Sequence, residues 1–214
     1  MPQLILILVY ITYWPSVLLI SMVLFRIKPR HHIRQIILST LLLTQTSILL
    51  QTYKAEFLLA FIQPICLMTC IFFFYKLKII HSFIVAVVTF GFNLVIESAF
   101  NLFLANFNYI EFVKIYQNDY AIQGLILTLI NCGVALLLQK LRLGFSFISS
   151  HPLNSKSSLY PKKIIIMVLT GCVLLAFTSL SIYFFEKFVI VCVTLTFFIL
   201  IGVMNFLYEK ELTD

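Results

Sequence analysis

Charge is what this chain has least of. Only 11% of its residues are charged, against 62% that are hydrophobic, whereas soluble domains stand near one quarter charged and below one half apolar. Mean hydropathy is +1.07. These values exclude an ordinary water-soluble domain and identify a polytopic α-helical membrane protein. Glycine and proline are scarce as well, six of each, and no stretch alternates polar with apolar residues, which excludes a transmembrane barrel. The four histidines, His31, His32, His81 and His151, fall in connecting segments or at a span edge. There is no H-E-x-x-H and no acidic pair inside an apolar run, so intramembrane metal or acid–base chemistry has no residues to work with. The chain reads as not an enzyme, without cofactor or metal. The five cysteines, Cys66, Cys70, Cys132, Cys172 and Cys192, lie inside apolar runs at no zinc-like spacing, and a disulfide framework needs cysteines outside the membrane. A basic leader with a small-residue cleavage site is also missing, so the first apolar run reads as a retained span.

What the chain does contain is apolar runs long enough to cross a bilayer. Seven spans are expected: 4–25, with a kink at Trp14–Pro15; 36–50, with Thr44, Gln45, Thr46 and Ser47 towards its end; 57–75, with Gln63–Pro64 early; 82–105; 121–139, with Asn131 near its middle; 164–185; and 188–207. Residues 1–207 thus form one membrane domain, and 208–214 read as the start of a cytoplasmic helix or a short tail. Asn106 to Tyr120, rich in Tyr and Phe with mixed charge, reads as a short interfacial helix. The longest connection, 140–163, holds the turn-rich stretch SSHPLNSKSSLYPKK.

The net charge of +7 is not a nucleic-acid footprint, because the basic residues sit in short loops between spans. On alternate loops there are twelve on one side (Arg26, Lys28, Arg30, Arg34, Lys76, Lys78, Lys140, Arg142, Lys156, Lys162, Lys163, Lys210) and three on the other (Lys54, Lys114, Lys187). The positive-inside rule then places the N-terminus outside and the C-terminus in the cytoplasm of a multi-pass plasma-membrane protein.

The fourth span carries Glu97, the one charge that no span end brings easily to water. Asn93, Glu97 and Asn101 are spaced i, i+4, i+8 and form one polar stripe on a helix. A carboxylate at membrane depth costs roughly 2.5–3.5 kcal/mol on insertion scales unless it is neutralised, paired or wet. Glu97 is therefore either a functional group or a protonated side chain bonding neighbouring helices. Glu97 lies about fifteen residues along an outgoing helix, roughly 22 Å from its start, in the outer half. Gln45 and Gln63 reach a similar depth. The expected ligand-binding set is Glu97, Asn93, Asn101, Gln45, Gln63 and Tyr116, with Tyr109, Phe112 and Tyr120 above it in the outer loop; ordinary interhelical hydrogen bonding is the competing account.

The last span leaves through YEKELTD with no glycine or proline stop. That predicts a helix continuing into the cytoplasm. Short loops between Ile/Leu/Phe-rich spans, the basic loop RIKPRHHIR and this uncapped exit together resemble, in architecture, the membrane sensor module of the AgrC-like peptide-pheromone receptor histidine kinases of Gram-positive bacteria. The resemblance implies that an extracellular peptide binds outside and that the signal passes through the last helix to a dimeric kinase module, whose phosphoacceptor and ATP-binding parts are not in this sequence. The expected partners are the lipid bilayer, a peptide ligand and a second copy meeting through the C-terminal helix. The alternatives are a small transporter or permease subunit using Glu97 as a proton, cation or substrate site, and a structural partner subunit. A retinal protein is disfavoured because the last span has no lysine. A transporter built from two parallel three-helix repeats is disfavoured because Pro15 and Pro64 have no counterparts in the second half.

Overall fold

Long Ile/Leu/Phe/Val runs satisfy every backbone group internally only as helices, and helices are what these runs form. The computed structural model describes residues 3–53, 55, 58–117, 121–146, 162–184 and 188–213. Among them the order is α1 (Gln3–Leu24), a 3-10 turn (Pro29–His32), α2 (Ile33–Thr52), α3 (Leu59–Tyr75), α4 (Ile79–Leu104), α5 (Tyr109–Gln117), α6 (Ala121–Lys140), α7 (Lys162–Phe184) and α8 (Val189–Thr213), with no strand. Five helical stretches are long and apolar enough to cross a membrane: Leu4–Leu24, Pro29–Thr52, Ile79–Leu104, Gln123–Lys140 and Val189–Glu209. Phe61–Tyr75 and Leu169–Thr178 are shorter apolar helical segments. A short helix does form within 106–120, as α5, and α8 runs on through the polar tail to Thr213. Pro15 and Pro64 lie inside α1 and α3, each of which is continuous.

With so few glycines, the helices are stopped by other residues. Arg26 after α1, Lys76 after α3 and Arg142 after α6 all have positive φ. The left-handed conformation costs a non-glycine residue roughly 1–2 kcal/mol. A cation beyond a helix C-terminus offsets part of that by meeting the negative end of the dipole. After α4 the same turn is made by Asn106 and Phe107. Gly144 is required where it stands: its φ is +151°, and a Cβ there would sit 2.8 Å from the Leu24 carbonyl oxygen. Next to it the Phe145 N–H donates to that carbonyl at 2.7 Å, and Arg26 donates through Nη2 to the Arg142 carbonyl at 3.2 Å. The ends of α1 and α6 are thereby tied together, although more than a hundred residues separate them.

The core follows from this pairing. α1 lies along α6, α7 along α8, and α2 between α1 and α3. α4 is the hub: it packs on α1, α3, α6, α7 and α8, and carries α5 at its end. Trp14, Leu18 and Leu24 of α1 and Phe25 just after it are buried with Leu43, Leu67, Ile84, Val88, Leu127 and Leu207 from five further helices. The outward faces stay apolar: Leu41, Leu129, Leu136, Val173 and Phe198 are all exposed. Such a belt is what hydrocarbon accepts and water does not. A second small cluster joins Phe112 and Val113 of α5 to Ala105 and Val189, anchoring the short helix against the bundle.

Candidate functional site

The polar side chains buried between these helices fall into two groups with different chemistry. The first is a knitted network. Asn93 on α4 donates through Nδ2 to the Tyr13 hydroxyl on α1, and its Oδ1 accepts from Asn131 Nδ2 on α6 at 3.0 Å. The same Asn131 amide reaches Ser16 Oγ at 3.4 Å, and Ser16 donates to the Tyr13 carbonyl at 2.7 Å. Three helices far apart in sequence are thus joined at one level. Beside this network, Ser47 Oγ on α2 accepts from Trp14 Nε1 at 3.0 Å and from Gln63 Nε2 on α3 at 2.9 Å, and donates to the Leu43 carbonyl at 2.7 Å. A hydroxyl has one donor and two acceptor sites, so Ser47 is saturated. Tyr10 donates to Gln51 Oε1 at 3.0 Å and closes α1 on α2 near the same end.

The second group continues the stripe on α4. Glu97 is half-buried, one turn beyond Asn93, and no hydrogen bond or ion pair holds it among the described residues. Asn101, one turn further, is buried at 1% exposure, and its Oδ1 meets no donor. Asn131 Oδ1 is likewise buried without a donor, on the far side of the amide that binds Asn93. Beyond Asn93 on α4, Glu97 and Asn101 Oδ1 thus have no protein donor among the described residues.

The structure gathers part of the expected set. Asn93, Glu97 and Asn101 share one face of α4 as their spacing requires. Gln63 comes into the same half of the bundle but is engaged by Ser47. Gln45 goes elsewhere: it is exposed on the outer face of α2, because its neighbours Leu43, Thr44 and Ser47 turn inward. The Tyr116 side chain and Tyr120 lie outside the described residues. Phe112 is 2% exposed and packed inward, so it is a foundation of α5 and does not face outward as a contact surface; Tyr109 is half-buried beside it. Sequence reasoning missed Tyr13, Ser16 and Trp14, whose polar atoms bond the stripe and its neighbours. The available signal was small: Tyr13, Trp14 and Ser16 are among a few side chains with polar ends in a mostly apolar first helix, residue types that need a partner when buried. No three His, Cys, Asp or Glu lie together among the described residues.

α4 is also where the site meets the last helix. Gly91, just before the stripe, lets Leu200 of α8 approach so closely that a Cβ would stand 3.2 Å from Leu200 Cδ1. Gly171 of α7 does the same for Val87 of α4, at 3.2 Å. A search of family models, of curated proteins and of solved structures finds no match to this chain.

Proposed function

We propose that the protein is a membrane sensor, crossing the plasma membrane seven times with its N-terminus outside, which detects a peptide-like extracellular signal on the Glu97 face of α4 and passes it through α8 to a cytoplasmic kinase module. The observation that carries this reading is the direct packing of α4 on α8 at Gly91 and Leu200. A ligand that binds two packings of α4 unequally shifts their populations, and close-packed contacts transmit such a shift as sliding or rotation of the neighbouring helix. The long helical exit of α8 to Thr213 suits that output and a parallel pairing of two copies.

Two experiments test it. In intact cells, a membrane-impermeant thiol reagent labels Phe107→Cys and spares Arg30→Cys until lysis; both positions are exposed at opposite ends of the bundle. Labelling of both from outside removes the crossing scheme. In a kinase-coupled reporter strain, Glu97→Gln abolishes the response to conditioned medium at unchanged protein level, and Gly91→Val weakens it by holding α4 away from α8. An unchanged response in Glu97→Gln removes the site. A second reading is favoured by Glu97 having no partner among the described residues: a carrier in which it takes a proton or cation. Flux into reconstituted vesicles that depends on Glu97 selects that reading over the first.

A further inference from the structure

We propose that the buried face of α2 from Ser39 to Thr44 binds a short column of ordered water, entered from the His32 end of the bundle and closed at Ser47. The proposal uses neither Glu97 nor its face of α4, so it stands or falls independently of the function proposed above.

The support comes from how hydroxyls behave along one helix. A serine or threonine inside a helix has an acceptor at hand, the carbonyl three or four residues back. Thr46, Ser47 and Thr52 in the second half of α2 use it, as do Thr69, Thr128, Thr170 and Thr194 on other helices. Ser39, Thr40 and Thr44 in the first half do not. Their oxygens are buried and make no hydrogen bond among the described residues, in side chains 0%, 6% and 5% exposed. These hydroxyls are therefore turned away from the backbone and into the interior of the bundle.

Groups from α3 and from the entry to α2 meet them there. Ser39 Oγ lies beside both the Cys70 thiol and the Tyr75 hydroxyl, yet neither Ser39 nor Tyr75 is bonded among the described residues. A helical side chain leans towards its own N-terminus, which carries the Tyr75 hydroxyl from the end of α3 back along the helix towards Ser39. The half-exposed ring of His32 stands 5.4 Å from that of Tyr75, and its Nδ1 is buried and unbonded as well. The run thus begins at the end of the bundle. It stops at Ser47, whose hydroxyl is saturated by Trp14, Gln63 and the Leu43 carbonyl. Hydroxyls left unbonded in the interior are costly. The set holds no carboxylate, lysine or arginine, and hydroxyls both give and accept, a pattern that water answers and an ion does not. Thr40 and Thr44 are one turn apart on a helix face, so their Cβ atoms are about 5–6 Å apart. One water spans such a gap with two bonds of about 2.8 Å.

Pulsed X-ray radiolysis of the full chain in lipid nanodiscs tests this, because bound water itself becomes the source of hydroxyl radical and oxidises the side chains it touches. Cys70 and Cys192 are each 4% exposed, so dry burial protects them alike. The expected result is oxidation of Cys70 several-fold faster than of Cys192, with Tyr75 modified as well. Equal rates overturn the proposal. The second measurement is denaturant unfolding followed by the fluorescence of Trp14, the only tryptophan of the chain. Thr44→Val removes one hydroxyl and keeps the shape of the side chain. With water in place, the variant unfolds at a lower midpoint and its Cys70 is oxidised more slowly; Thr40→Val has the same two effects. In a dry site the variant is rid of an unanswered hydroxyl, and its midpoint rises. A raised midpoint overturns the proposal, and so does a Cys70 rate unchanged in both variants. The radiolysis of the unaltered chain decides the matter even where neither variant folds.

Discussion

Two adjacent stretches of α4 differ in kind. At Asn93, both ends of the amide are answered by other helices. One and two turns further on, Glu97 makes no hydrogen bond among the described residues and Asn101 Oδ1 meets no donor. The same helix face therefore holds a bonded amide and, beyond it, polar groups without a protein bond among the described residues. Buried polar groups in membrane helices are commonly interpreted as glue, and for Asn93, Asn131, Ser47 and Gln63 that is what the geometry shows. Glu97 makes no such bond among the described residues.

Substitutions break or sharpen this contrast. The largest effect is expected from Trp14→Ala, which empties a fully buried site at 1% exposure and removes a donor to Ser47; a loss of about 3–5 kcal/mol appears as a lower midpoint in chemical unfolding from mixed micelles. Asn131→Leu orphans Asn93 Oδ1 and costs about 1–3 kcal/mol by the same measurement, with the lower end expected because polar pairs in membranes average about 0.6 kcal/mol. A double-mutant cycle between Asn93 and Asn131 isolates their coupling and gives a non-zero value. Gln63→Leu leaves Ser47 with Trp14 as its donor and costs roughly 0.6 kcal/mol. At the bottom, Glu97→Gln and Gln45→Leu each change stability by less than about 0.5 kcal/mol, the first because it breaks no bond and the second because the site is exposed. A large loss in Glu97→Gln would erase the contrast and make Glu97 one more fastening.

Much of the architecture was legible in the residues. The helix positions followed from apolar run length, the short amphipathic helix from mixed charge and aromatics in 106–120, and the helical exit of α8 from the lack of a stop in YEKELTD. Asn93, Glu97 and Asn101 sharing a face was read directly from their spacing, since 3.6 residues make a turn whatever surrounds the helix. Gln45 and Gln63 were not separable that way. Both are glutamines near an outer helix end, and only the rotation of α2 puts Gln45 outside while Gln63 meets Ser47. Phe112 was misjudged as a contact surface for a related reason: an aromatic residue on a short helix faces either way until its neighbours are known.

By itself the sequence determined the class of solvent the molecule lives in and the periodic placement of polar groups along each helix, because both depend on composition and on local backbone geometry. Which helix each group faces was decided by the tertiary structure alone. The pairing of α1 with α6, the approach of Leu200 to Gly91 and the joining of Asn93 to Asn131 are contacts between segments distant in the chain, set by how side-chain volumes fit. No local rule encodes that fit, and it is what leaves Asn93 bonded to two helices and Glu97 without a bond among the described residues.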